Sequence, residues 1–182
     1  EPNWDWVDAA LERACLDREP LLLLGSTLLF HVYFERCVRN GIRFSLPRGS
    51  RAMDTGGAKG MRLELKREDV EAGFTRALGI PPSHLVNEYG MAEMGSQFYD
   101  DNFFAAHERR PLKPGKRIPP WVRTRVFDPE TMRERTDLAP GLLVHYDLAN
   151  LEVPLAIQTD DLGACRGDRL LLLTPARARD EA

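Results

Sequence analysis

The stretch HLVNEYGMAEMGSQ, His84 to Gln97, sets an aromatic, a glycine and a carboxylate at the end of a segment that reads as a strand: Tyr89, Gly90 and then Glu93. A tyrosine ring in such a place can stack on a heteroaromatic base, and carboxylate oxygens suit a hard cation such as Mg2+. A second run, TGGAKG, places Gly56 and Gly57 together, and adjacent glycines let a backbone approach a flat ring or a phosphate with no Cβ in the way. A third feature is the pair Asp160-Asp161 after LAIQT. A carboxylate at a strand end can accept hydrogen bonds from the vicinal hydroxyls of a ribose. Strand neighbours point to opposite faces, so at most one of the pair enters a site. The same residues also suit plain turns, with Tyr89 as a lid on the core and the aspartates in solvent. Taken singly, they leave a nucleotide site and an ordinary strand–loop junction both open.

These residues need elements to hold them. Trp4, Val7, Leu11, Ala14 and Cys15 recur at helical spacing after Asn3, which predicts an amphipathic helix to about Arg18. LLLLGS (Leu21–Ser26) reads as a buried strand. TLLFHVYFERCVRN, closed by Asn40-Gly41, reads as a helix buried on nearly every side with a left-handed stop. IRFSLP alternates and predicts the next strand, so strand, helix and strand follow the grammar of a parallel sheet. REDVEAGFTRALG puts Val70, Phe74, Ala77 and Leu78 on one helical face, with Glu68 and Asp69 at its positive end and Gly79 at its stop. Both TGGAKG and EYGMAE then fall at the carboxyl ends of strands, where α/β sheets bind ligands. From about Arg117 short strands alternate with turns: WVRTRVFDPETMRERTD, GLLVHYDL, VPLAIQTDDLG and DRLLLL. The expected fold is α/β, a parallel βαβ portion over 1–116 followed by a mainly antiparallel portion over 117–175.

Composition narrows the classes. The chain has 182 residues, 43% apolar and 29% charged, with a net charge of −3. That balance gives no case for nucleic acid or an anionic membrane surface. The one basic stretch, from His107 through Lys113 to Lys116 and Arg117, lies among prolines and a glycine and reads as a solvated loop. No apolar run approaches the roughly 20 residues of a membrane span. Cys15, Cys37 and Cys165 are widely spaced and odd in number, which fits a reducing, cytoplasmic setting with packing roles. His31, His84, His107 and His145 show no metal-ligand spacing, and there is neither a Gly-x-Ser-x-Gly elbow nor a Walker-type loop.

TGGAKG, NEYGMAE, PPWVRTRVFDPET, HYDLAN and QTDDLG occur in the order found in LuxE-type acyl-protein synthetases, relatives of phenylacetate–CoA ligase in the adenylate-forming superfamily. The resemblance runs from about Leu21 to the end. It implies that Gly56, Gly57 and Ala58 line the adenine and acyl groups and that Tyr89, with Gly90, packs on adenine. It further implies that Glu93 binds Mg2+, that Asp161 holds the ribose hydroxyls, and that Arg177 opens a hinge over 176–182 leading to a small C-terminal domain. Lys59 belongs to the signature without an assigned role. Ala92 stands where the family usually has a threonine whose hydroxyl contacts the α-phosphate. The Ser/Thr/Gly-rich phosphate loop and the late lysine have no counterpart, so the chain resembles the latter part of a large domain and is expected to be inactive alone. The implied activity consumes ATP with Mg2+ to turn a carboxylic acid, fatty or aryl, into an acyl-adenylate. The acyl group then passes to a thiol of coenzyme A, a carrier arm or a protein cysteine. The alternative is a non-catalytic relative that binds a nucleotide or acyl ligand.

Overall fold

In chain order the elements are α1 (Trp4–Asp17), β1 (Leu22–Ser26), α2 (Thr27–Asn40), β2 (Arg51–Thr55), α3 (Arg67–Leu78), a 3-10 turn (Pro82–His84), β3 (Leu85–Tyr89), β4 (Phe98–Tyr99), α4 (Asn102–His107), β5 (Lys116–Arg117), β6 (Val122–Phe127), β7 (Gly141–Asp147), β8 (Ala156–Arg166) and β9 (Arg169–Leu172). The computed structural model describes residues 2–56 and 65–173. Two units emerge, Glu1–Glu88 with Asn102–Pro111, and Tyr89–Asp101 with Leu112–Ala182.

The first unit follows its end signals. Asn3 accepts a hydrogen bond from the Trp6 N–H at 3.1 Å and starts α1, and Ser26 does the same for α2 through the Leu29 N–H at 3.2 Å. Gly41 and Gly79 close α2 and α3 in left-handed conformations. β1, β2 and β3 pair in parallel with β2 in the middle, joined by α2 and α3. The helices close over Phe34 and Phe74, whose rings meet edge to face at 4.8 Å. Gly73 makes this possible: a Cβ there would lie 2.2 Å from the Phe34 ring.

Three expectations need correcting here. Ile42–Pro47 is not a strand. Its alternation is real, with Leu46 buried, but its partners are the carbonyls at the end of α3: Phe44 N–H donates to Ala77 and Leu46 N–H to Leu78. The second strand is instead Arg51–Thr55, which runs straight into the glycine-rich segment. β1 is a strand but not a buried one: Leu23 packs on the core, while Leu22 and Leu24 are each 63% exposed. Likewise α2 buries Tyr33, Phe34 and Cys37 on one face and exposes Val38 on the other.

In the second unit β4, β5, β9, β8, β7 and β6 follow one another as an antiparallel sheet. Its core is built on Phe98, Leu143 and Leu170, all fully buried. The stretch read as a solvated basic loop ends differently. Lys116 and Arg117 form β5, and buried Lys116 pairs with Asp100 at 2.9 Å. Among the described residues no helix is long and apolar enough to cross a membrane. Burial pushes the thiols of Cys37 and Cys165 up, which keeps both protonated packing groups rather than nucleophiles.

Candidate functional site

Asp161 lies inside β8 rather than at a strand end. On β7, Leu142 pairs with Leu162 and Val144 with Gln158, so one residue of β7, Leu143, lies opposite three of β8. The extra length forms a bulge at Thr159–Asp161. Thr159 fastens it, donating its hydroxyl to the Leu143 carbonyl at 3.1 Å and accepting the Asp161 N–H at 3.1 Å. Asp160 is exposed, whereas Asp161 turns its carboxylate to Tyr89.

Tyr89 donates its hydroxyl to Asp161 Oδ2 at 2.9 Å, and its ring lies 5.6 Å from that of Phe98. His145 extends the chain, with Nε2 3.3 Å from the Tyr89 hydroxyl and Nδ1 2.9 Å from Thr124 Oγ1. Proton bookkeeping orders these bonds. The tyrosine's one proton goes to the carboxylate, so its oxygen accepts from Nε2–H, and Nδ1 accepts from Thr124. That requires a neutral imidazole, and burial does push His145 down to about 4. Burial and the neighbouring Asp161 push the Tyr89 phenol up, so it remains a donor. Sequence reasoning passed over His145. The signal was there: in GLLVHYD it sits at a position flanked by apolar residues, and it is fully buried.

A pH dependence follows. Between its ordinary value of 6.5 and about 4 the imidazole is neutral in the folded chain and protonated in the unfolded one. The unfolded state therefore binds the extra proton, and stability that is full above pH 6.5 declines as pH falls toward 4. The His145 contribution to that loss is expected to be about 3 kcal/mol. Urea denaturation of the wild-type chain and of His145→Gln at pH 7 and pH 4.5 checks it. The variant is expected to lose this part of the slope, and equal slopes in the two proteins would contradict it.

Ala92 and Glu93 occupy the centre of a turn closed by Met94 N–H to the Met91 carbonyl at 3.1 Å. Both are exposed. They line an open cleft of about 300 Å3 with Met94, Gly95 and the β7–β8 loop, including Glu152. The loop is seated from below by residues of HYDLAN. Fully buried Asp147 accepts from the Ser96 N–H, the Ser96 hydroxyl and the Ala149 N–H at 2.8–2.9 Å. Trp121 donates its indole N–H to the same Ser96 hydroxyl at 2.8 Å. No group of three or more metal-ligating side chains occurs among the described residues. One or two carboxylates facing an open cleft nevertheless fit Mg2+, which keeps most of its waters and shares the phosphates of its nucleotide.

In the first unit Gly56 follows β2 at φ +73°, a conformation that favours glycine. Its carbonyl is 2.8 Å from the Thr27 hydroxyl, which also reaches buried Asp54 at 2.7 Å. Gly57, Ala58, Lys59 and Arg177 lie outside the described residues. The structure thus brings Tyr89 and Asp161 into contact, sets Ala92 and Glu93 on one turn, and adds His145, Asp147 and Asn150 to them.

The fold is similar to that of ATP-bound MatB from Rhodopseudomonas palustris, at a TM-score of 0.54 and 15% identity over 96% of this chain and 33% of that one. It is also similar to a long-chain-fatty-acid–CoA ligase from Archaeoglobus fulgidus, at a TM-score of 0.58 and 10% identity over 85% of this chain and 34% of that one. The chain therefore has the α/β architecture of adenylate-forming enzymes. Residues 7–170 match the family model described as acyl-protein synthetase, LuxE, and the chain belongs to that family. It is 24% identical over 148 residues to the long-chain-fatty-acid–luciferin-component ligase of Aliivibrio fischeri, and the match spans 80% of this chain but 36% of the relative.

Proposed function

We propose that the full-length protein to which this chain belongs activates a carboxylic acid at the expense of ATP and passes the acyl group to a thiol. The observation that carries the reading is the meeting of Tyr89 and Asp161 at 2.9 Å in a chain of the acyl-protein synthetase family. The hydroxyl of Tyr89 is committed to Asp161, so the ring is what it offers a base. The Asp161 carboxylate, held by Tyr89 and by the Thr159 bulge, would share its oxygens with ribose hydroxyls. Glu93, exposed on its turn, would hold Mg2+ against the phosphates, offsetting the repulsion between an incoming carboxylate and the triphosphate. A carboxylate oxygen attacks the α-phosphorus, the bond to the bridging oxygen breaks, and pyrophosphate leaves. The thiol sulfur then attacks the acyl carbonyl, AMP leaves, and the thiol proton is lost to solvent.

The names of the relatives support a long-chain fatty acid as the substrate class. A second reading, a relative that binds without catalysis, is favoured by Ala92, whose methyl group faces the cleft where the resemblance expects a hydroxyl. Carboxylate-dependent ATP–pyrophosphate exchange by the full-length protein, across a panel of fatty and aryl acids with Mg2+ present, decides between them. Exchange is expected with a fatty acid. Silence across the panel from a folded protein would favour the binding relative.

A further inference from the structure

Glu93 makes no side-chain hydrogen bond or ion pair among the described residues, so the position of its carboxylate is set by the backbone that carries it. Among the described residues one side chain, that of Asn150, bonds to the backbone of Glu93 and Gly95. Asn150, 8% exposed, accepts the Gly95 N–H at 2.7 Å through Oδ1 and donates from Nδ2 to the Glu93 carbonyl at 3.1 Å and the Pro154 carbonyl at 2.9 Å. It thereby ties the residue that bears the carboxylate, and the residue two further on, to the β7–β8 loop forming the other wall of the cleft.

We propose that Asn150 is a positioning residue for the Glu93 carboxylate, a role that rests on the adenylation reading. The chemistry requires a carboxamide. One end must accept from an N–H while the other donates to two carbonyls, which no carboxylate or hydroxyl of this size does. An aspartate would set an oxygen against two carbonyl oxygens, and alanine would leave the Gly95 N–H and the Glu93 carbonyl without partners. The fit is close as well: a Cβ on Gly95 would lie 3.2 Å from Asn150 Oδ1 and from the Ala149 Cβ. Buried Asp147 seats the adjoining Ser96 and Ala149, so Asn150 closes a loop already anchored at its base.

The test is Mg2+ binding, measured by calorimetry on the full-length protein loaded with a non-hydrolysable ATP analogue, beside a titration of pyrophosphate exchange against free Mg2+, for wild type, Asn150→Ala and Asn150→Ser, with Glu93→Gln alongside. Removing groups that orient a metal ligand commonly weakens the metal about 10–100-fold. Asn150→Ala is accordingly expected to raise the Mg2+ concentration at half-maximal exchange at least about tenfold while the KM for the acid stays put. Asn150→Ser, whose shorter hydroxyl can replace at most one of the three bonds, should fall between. A merely destabilised protein would lose amplitude without moving the Mg2+ midpoint. If Asn150→Ala does not fold, the midpoint of the serine variant decides. A wild-type midpoint in a folded variant overturns the proposal. Full exchange by Glu93→Gln would instead remove Glu93, and with it the adenylation role, which is a separate failure.

Discussion

Replacing Glu93 by alanine in the full-length protein is expected to lower carboxylate-dependent pyrophosphate exchange about 10²–10³-fold, or about 3–4 kcal/mol of barrier, without moving the melting temperature. The two halves have separate physical grounds. The side chain is exposed at the centre of the Met91–Met94 turn and has no bonding partner among the described residues, so its loss leaves no buried group of theirs unsatisfied. What it offers is charge beside a cleft, and a cation held there counts most when a triphosphate must accept an anionic nucleophile. The turn itself survives, because it is held by the Glu93 carbonyl and the Gly95 N–H and not by the carboxylate. Exchange kinetics and a thermal melt on the same preparation check both halves. Undiminished exchange at an unchanged melting temperature would take Glu93 out of the reaction.

Asp54→Ala should have the opposite profile, a large loss of stability that originates far from any reacting atom. Asp54 is 1% exposed and accepts two hydrogen bonds from Arg67 Nη1, at 2.7 and 2.9 Å, one from the Thr27 hydroxyl at 2.7 Å and one from Asn87 at 2.9 Å. It ties the start of α2, the start of α3 and the strand β3 to the end of β2. Arg67 keeps its ion pair with Glu71 at 3.0 Å, so the cost is that of losing a buried, multiply hydrogen-bonded carboxylate, about 3 kcal/mol. Urea denaturation of the chain at pH 7 measures the effect. A loss below about 1 kcal/mol, the scale of an exposed pair, would show that the guanidinium finds water instead.

The sequence was most legible where local chemistry alone decides. Asn3, Gly41 and Gly79 act within a few residues of themselves: α1 begins at the first, and α2 and α3 end at the other two. It was least legible where the partner of a segment decides. Ile42–Pro47 alternates like a strand, yet the carbonyls it meets belong to the end of a helix, and alternation records only that one side is buried. Leu22 and Leu24 look like core residues because hydrophobicity says what a side chain would gain from burial, not whether anything covers it. Among the candidate site residues, Tyr89 and Asp161 were singled out one at a time, and their contact across 72 positions of sequence could be seen only in the fold. His145 and Asn150 escaped because each is a common residue whose role comes wholly from its neighbours. HYDLAN was read as a motif, whereas its work is to seat the loop that carries Glu93.

The bulge in β8 governs how this strand can change length. Because it holds two surplus residues and not one, the side chains before and after it keep the same faces, Gln158 opposite Val144 and Leu162 opposite Leu142. Losing one residue from Thr159–Asp161 would act like a reading-frame error in space, sending Leu162, Ala164 and their successors to the wrong side of the sheet. Losing two would restore a regular ladder and a sound core, but would erase the detour by which Asp161 reaches Tyr89. Related sequences that keep this hairpin can therefore trim it only in pairs, and each such trimming exchanges a carboxylate contact for a straighter strand.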